Sequence, residues 1–389
     1  MKILFLYYNH DLHSSLMHIY MSKAFKDLGH KVTTAGRSGE KAPPLDFEFT
    51  KPLVTIEEIL KKVKGNFDLI FLYYPSPHFW VTNIEKSPFP TALYLMDTFI
   101  PLIKGQTGYA NLFDYVFSAQ IDCVKKLKKD GHKNVFWSPF AFYPKIIKNH
   151  HLKKIHNIIF LGLNNPLHNP RRAIYLKLME KIVGLKIIKG KYLEELAKVY
   201  SQSKIVFNIP TFDDLNLRVF ESLACQTLLI THKNQMGLNL LFKNNTHLIT
   251  YSNIFDAVRK IKFYLNHDSE REKIAKAGYL EVQKNHTYEK RAREIFEKIK
   301  KKKTFKKILA ESQCLKVAKS HYLVGAIKET DRWLQEAAQK AQSSTFARIK
   351  YTFFSKLISL GGKPLQEKLV FLYMKQGALR VLFWQFRNF

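Results

Sequence analysis

The sequence predicts an α/β protein: two Rossmann-like parallel-sheet domains facing a cleft, followed by an all-helical extension. Three observations carry that expectation. Short apolar runs alternate with helix-period segments up to about Lys300, the alternation restarts at His156, and beyond Lys300 the strand-like runs stop. With 389 residues, 46% of them hydrophobic, the chain is long and apolar enough for two separate cores.

The first domain, 1–152, opens with Lys2–Tyr8, an apolar run bounded by polar residues as a buried parallel strand is. Leu16–Leu28 has helical spacing and ends at Gly29, and Lys31–Thr34 reads as the second strand. Ile56–Val63 is a helix, Phe67–Tyr74 a strand closed by Pro75, and Thr91–Met96 another strand. Phe113–Ala119, a Lys-rich helix to Asp130, and Asn134–Trp137 complete the unit. The second domain, 153–300, begins with the strand His156–Leu161, which runs into Gly162, and the helix Arg172–Val183. Leu185–Ile188, Lys204–Ile209 and Leu228–Thr231 are strands; Tyr192–Tyr200, Leu215–Ala224 and Ile254–Leu265 are helices. Ligands of such sheets bind beyond the carboxyl ends of the strands, which points to the loops after Tyr8, Met96, Leu161 and Ile209. In the extension, 301–389, Leu315–Lys340 loosely resembles a tetratricopeptide unit and equally fits a generic helical hairpin.

Charge is uneven along the chain. The formal net charge is +31, and Lys298–Phe389 alone holds 20 Lys/Arg against 5 Asp/Glu. Such a field attracts polyanions, whether nucleic acid, anionic lipid or phosphorylated substrates. Aromatic residues are interleaved with the cations from Tyr351 to Phe389, a pattern that fits an anionic membrane surface or packing against other helices or a second copy. Nucleic acid is the weaker match, because no recognition motif accompanies the charge. Cys123, Cys225 and Cys314 are not spaced for a disulfide framework or a thiolate zinc site. The apolar run at Met1–Tyr8 is shorter than a signal peptide requires, and no run reaches the ~18 apolar residues of a spanning helix. The expectation is a cytoplasmic protein, at most peripheral on the inner face of the membrane.

The chemistry concentrates in Lys204–Thr231. A strand gives way to a polar loop with Thr211, Asp213 and Asp214, and a helix opens near Leu215, its first turn capped by one of the two aspartates. Free N–H groups at that helix start form an anion site, and Arg218, Glu221 and Ser222 share one face. A helix N-terminus with an arginine suits a diphosphate, and a carboxylate beyond it can accept from both hydroxyls of a ribose. The plain alternative is a surface helix with an Arg218–Glu221 or Arg218–Ser222 contact. Gly162 allows close approach of backbone to a phosphate, and Arg171 and Arg172 open the next helix.

These residues resemble the CgeB-like glycosyltransferases. The similarity runs through Asn216-Leu-Arg218-Val-Phe-Glu221-Ser-Leu-Ala224, Leu228-Leu-Ile-Thr231, Glu270-Arg271-Glu272, Ala277-Gly278 and His286-Thr-Tyr288, with Phe160-Leu-Gly162 upstream. In the first domain, Tyr94-Leu-Met-Asp97-Thr98, Phe113-Asp114 to Gln120 and Trp137-Ser-Pro139 are similar too. The resemblance implies the GT-B fold and transfer of a sugar from a nucleotide-sugar donor to a glycan, lipid-linked or protein acceptor, with no metal cofactor. It implies that Glu221 binds the ribose, that Asn216 and Arg218 sit beside the diphosphate, and that Asp213 contacts the donor sugar, giving Asp-x7-Glu where related enzymes carry E-x7-E; Gly162 and Arg172 are candidate diphosphate contacts from their positions alone. It also places Gln226 where a glycine usually turns the chain.

Catalysis needs a base for the acceptor hydroxyl or stabilisation of charge at the anomeric carbon. The candidates are Asp97, at the end of its strand, and His13, with His10 and Asp11, after the first strand; Asp114 reads as structural. Asp97 equally fits a loop-fixing carboxylate, since Phe99 stands where the family has His, and His13 equally fits a surface loop. Two other readings remain open: a non-catalytic scaffold working through its helical tail, and a nucleic-acid-binding protein.

Overall fold

The structure, a computed structural model, describes residues 1–9, 17–98, 107–164, 166, 169–299 and 309–341. The described chain divides into two compact units, one of Met1–Trp137 joined by the described residues between Glu297 and Ala341, the other of Ser138–Phe296.

The first unit is built on β1 (Lys2–Asn9), β2 (Lys31–Ser38), β3 (Phe47–Glu48), β5 (Leu69–Tyr73), β7 (Thr91–Leu95), β8 (Tyr115–Ser118) and β9 (Val135–Trp137). They form one parallel sheet in the order β3-β2-β1-β5-β7-β8-β9. A small parallel pair, β4 (Leu53–Thr55) and β6 (Trp80–Thr82), lies beside it. Phe5, Leu6, Ile70, Leu72, Leu93 and Val116 are fully buried, as strands covered on both faces require. The helices α1 (Met17–Asp27), α2 (Ile56–Val63) and α3 (Ile121–Lys129) cover the faces. Thr55 starts α2 with a capping box, its hydroxyl accepting from Glu58 N while the Glu58 carboxylate accepts from Thr55 N. Asp114 is structural: its carboxylate accepts from the Thr91 amide and hydroxyl and pins the start of β7.

The second unit carries β10 (His156–Leu161), β11 (Lys186–Ile188), β12 (Ser203–Asn208), β13 (Leu228–His232) and β14 (Ile249–Tyr251), parallel in the order β11-β10-β12-β13-β14. Its helices are α4 (Pro170–Val183), α5 (Leu193–Ser201), α6 (Leu217–Ala224), α7 (Leu238–Leu241), α8 (Ile254–Asn266), α9 (Asp268–Asn285) and α10 (Tyr288–Ile299). The units divide at Trp137 rather than at the expected 152. The reason is that Ser138–Ile147 is tied to the far end of the second unit: Phe142 N donates to His286 O, Tyr288 N to Phe142 O, and Arg291 Nε to Pro139 O.

The expected helical extension is in part not separate. Its described portion is the hairpin α11 (Glu311–Tyr322) and α12 (Ile327–Lys340), a form common to both readings of Leu315–Lys340, and it belongs to the first unit. Cys314, Val317 and Trp333 enter the same core as Trp80 and Tyr109. Tyr109 N donates to Ser320 Oγ, Gln313 Nε2 to Asn111 Oδ1, and Arg332 Nη2 to Glu85 Oε1. Gly108 is required by that packing, because a Cβ there would stand 2.1 Å from the Lys316 carbonyl oxygen. The aromatic run from Tyr351 to Phe389 lies outside the described residues.

Candidate functional site

At the carboxyl edge of the second sheet, β10 ends at Leu161, β12 at Asn208 and β13 at His232. The helix after β12 opens two residues later than the sequence indicated, at Leu217, with Asn216 as its N-cap. Neither Asp213 nor Asp214 caps it. Phe212 and Asp213 take left-handed backbone (φ 56° and 57°), and Asp214 instead accepts from Thr211 N, closing the loop on itself. The Asn216 side chain makes no cap either, since its Nδ2 donates to Asn208 Oδ1. The first turn of α6 therefore keeps amides that no side chain of the cap satisfies.

Arg218 is fixed in this turn. Its Nε and Nη2 donate to the Leu161 carbonyl at 3.0 and 2.7 Å, its Nη1 to Asn208 Oδ1 at 2.6 Å, and its guanidinium lies 4.4 Å from the Phe160 ring centre. Gly162 has φ +149°, and a Cβ on it would meet Arg218 Nη2 at 2.5 Å. The glycine thus makes room for the arginine rather than directly for a phosphate. Arg172, near the start of α4, hydrogen-bonds the Thr211 hydroxyl and lies 5.9 Å from the same Phe160 ring. Burial and the nearby Arg218 charge push the Arg172 guanidinium down to about 10. Two guanidiniums thus gather on one aromatic ring, and neither has an ion pair among the described residues. Arg172 Nε and Asn216 Oδ1 are buried without a hydrogen-bond partner.

Glu221 lies one turn further along α6. Together with Asn216, Arg218, Arg172 and Tyr200 it lines a cavity of about 210 Å³. The residue is 7% exposed, and its carboxylate has no hydrogen-bond partner among the described residues. Desolvation raises it to about 7, against the pull of Arg218. The direct Arg218–Glu221 or Arg218–Ser222 contact of a plain surface helix is absent among the described residues; Ser222 is buried and donates to Val219 O. Asp213 lines a neighbouring small cavity with Arg171, Arg172 and His232, so Arg172 walls both. Its Oδ1 is 3.8 Å from His232 Nδ1, and burial raises its carboxyl while His232 opposes the shift.

Residues 175–297 match the family described as glycosyl transferase-like. The chain is 22% identical over 269 residues to spore protein CgeB of Bacillus subtilis (strain 168), covering 58% of this chain and 81% of that protein. Among solved structures, Anabaena HepE in complex with UDP-glucose superposes with a TM-score of 0.58 at 13% identity, over 77% of this chain and 99% of that one. A glycosyltransferase from Rickettsia africae superposes with a TM-score of 0.55 at 13% identity, over 77% and 100%. The fold is GT-B, and in sequence the chain is similar to spore protein CgeB without being shown to belong to its family. The family match and the uncapped helix start both fall in the second unit.

In this GT-B chain the remaining candidates belong to the first unit. Asp97 stands just past β7 with φ +55°, and Tyr74 just past the adjacent β5 with φ +50°. Left-handed backbone at two non-glycine residues costs about 1–3 kcal/mol each, and such strain gathers at functional edges. Burial raises the Asp97 carboxyl to about 6, and a hydrogen bond from Tyr74 opposes the rise. His13, with His10 and Asp11, lies outside the described residues.

Sequence reasoning missed Asn208, which organises the site: its Oδ1 receives both Arg218 and Asn216, and its Nδ2 donates to Thr231 Oγ1. An asparagine directly after the apolar run Ile205–Phe207 was the available signal. His232 was missed as well, although it closes β13 at the same edge.

Proposed function

We infer that the protein transfers a sugar from a nucleotide-sugar donor to a hydroxyl acceptor. The observation that carries this reading is the Glu221 carboxylate: buried, without a hydrogen-bond partner among the described residues, and lining a cavity with Arg218 and Arg172. Burying a carboxylate without a partner is costly, and a pair of ribose hydroxyls would supply what it lacks. The diphosphate would meet the uncapped start of α6 and the Arg218 and Arg172 guanidiniums, which offset its charge by themselves, so that metal is not required. Arg172 walls the cavities of both Glu221 and Asp213, which suits a donor whose ribose lies at the first and whose sugar lies at the second.

Asp97 would take the proton from the acceptor hydroxyl, since a carboxyl raised to about 6 is a better base than an ordinary aspartate and is still ionised at neutral pH. The acceptor is a glycan, a lipid-linked molecule or a protein. The HepE structure carries UDP-glucose, so UDP-sugars are the first donors to assay. A panel of UDP-, GDP-, ADP- and dTDP-sugars, scored for release of the nucleoside diphosphate with Glu221→Ala as control, tests the reading. Turnover lost in the variant supports it; no turnover with any donor would leave a binding protein.

A further inference from the structure

One face of the second sheet carries α4 and α8, which follow parallel strands, run back from the carboxyl edge and pack side by side. Leu176 and Met179 of α4 and Ala257 and Ile261 of α8 point inward and close the core. Outward, α4 shows Ile174, Leu178 and Ile182, which are 43%, 40% and 46% exposed. They recur every fourth residue and so form one line down the helix. Lys177 and Lys181, both exposed, run along that line, and on α8 the 83%-exposed Phe255 is joined by exposed Arg259 and Lys262. Scattered exposed apolar residues need no account, but an aligned stripe beside an exposed phenylalanine does.

Charge limits what can cover it. Lys177, Lys181 and Lys262 have no ion pair among the described residues, so a second copy of the chain would set like charges against each other. The 48 residues beyond Ala341 fare no better, with eight Lys/Arg against one Asp/Glu. The cover must therefore be anionic. Lysine flanks are depleted at protein–protein interfaces, whereas at a lipid surface their stems lie along apolar groups while the ammonium reaches outward. We propose that the α4–α8 face docks on an anionic lipid bilayer, with Ile174, Leu178, Ile182 and Phe255 entering the headgroup boundary and the flanking lysines meeting lipid phosphates. That orientation leaves the carboxyl edge, with Arg218 and Glu221, uncovered. The proposal goes beyond the glycosyltransferase reading and stands without it.

The test sediments the full chain with vesicles of phosphatidylcholine alone or with about 30% phosphatidylglycerol, and needs no sugar donor. The wild type is expected to pellet with the anionic vesicles only. Ile174→Ser/Leu178→Ser/Ile182→Ser and Lys177→Glu/Lys181→Glu should each weaken binding roughly tenfold or more, since each removes one of the two contributions that interfacial helices need. Melting curves check that each variant is folded; should the serine variant melt early, the charge variant and Phe255→Ser decide. Wild type that ignores the anionic vesicles overturns the proposal and leaves an acidic protein as the matching partner. Variants that bind like wild type overturn it too, placing attachment elsewhere in the chain. Loss in the charge variant alone also overturns it, because the stripe then does not enter the lipid.

Discussion

Replacing Glu221 with glutamine keeps its size and removes its charge, and the consequences should have opposite signs for stability and for binding. The carboxyl is raised from its ordinary 4.5 to about 7 in the folded chain. A proton held by the folded state but released by the unfolded one makes folding less favourable as pH rises through that window. The penalty is absent below about pH 4.5, grows up to about pH 7, and is complete above it. At 1.36 kcal/mol per unit it reaches about 3 kcal/mol at pH 8 and stays below about 1 kcal/mol at pH 5. Glu221→Gln should therefore melt higher than wild type at pH 8, by roughly 6–12 °C for a unit of this size, and nearly with it at pH 5. Binding should move the other way. A ribose diol donates to the carboxylate, and losing hydrogen bonds to a charged group costs about 1.5–3 kcal/mol, or roughly ten- to a hundredfold in affinity. The assay is thermal unfolding of both proteins at the two pH values, with and without a nucleotide-sugar. A stability difference that does not change with pH, or a variant less stable at pH 8, would refute the reasoning.

Three further outcomes follow from the same geometry. Gly162→Ala puts a methyl group at φ +149° and 2.5 Å from Arg218 Nη2, so it should cost about 1–3 kcal/mol in a denaturant titration and weaken donor binding by displacing the guanidinium. Tyr74→Phe removes the hydrogen bond that holds Asp97 down; Tyr74 is the titratable group facing that carboxyl among the described residues, so the acidic limb of the pH–rate profile should move above about 6. A chain ending at residue 308 should melt far below one ending at 341, because only the second retains the Cys314, Val317 and Trp333 packing beneath Trp80 and Tyr109.

The alternation of strands and helices was legible because parallel strands buried on both faces must be continuous apolar runs, as Ile158–Leu161 and Leu228–Ile230 are. Gln226 was legible as a departure from a glycine turn: it does take left-handed backbone, φ +52°, and the chain carries that strain between α6 and β13. The helix Asp268–Asn285 was not read, since its charged residues outnumber any apolar stripe and only Ile274, Ala275, Gly278 and Val282 with the Arg271 stem turn inward. The return of the last described helices to the first core was beyond reach, because Tyr109 and Ser320 are 211 positions apart. At the site, residue types and spacing located Arg218 and Glu221. The capping error arose because Asp213 and Asp214 are sound cap residues by type, and only the left-handed turn at Phe212–Asp213 diverts them.

The most direct measurement is titration calorimetry of UDP-, GDP-, ADP- and dTDP-glucose against wild type and Arg218→Met, each run with chelator present. At least one nucleotide-sugar should bind wild type and lose tenfold or more in the variant, as loss of a charge-assisted contact to phosphate implies. Equal affinity in the two proteins, or no binding of any donor, would contradict the account.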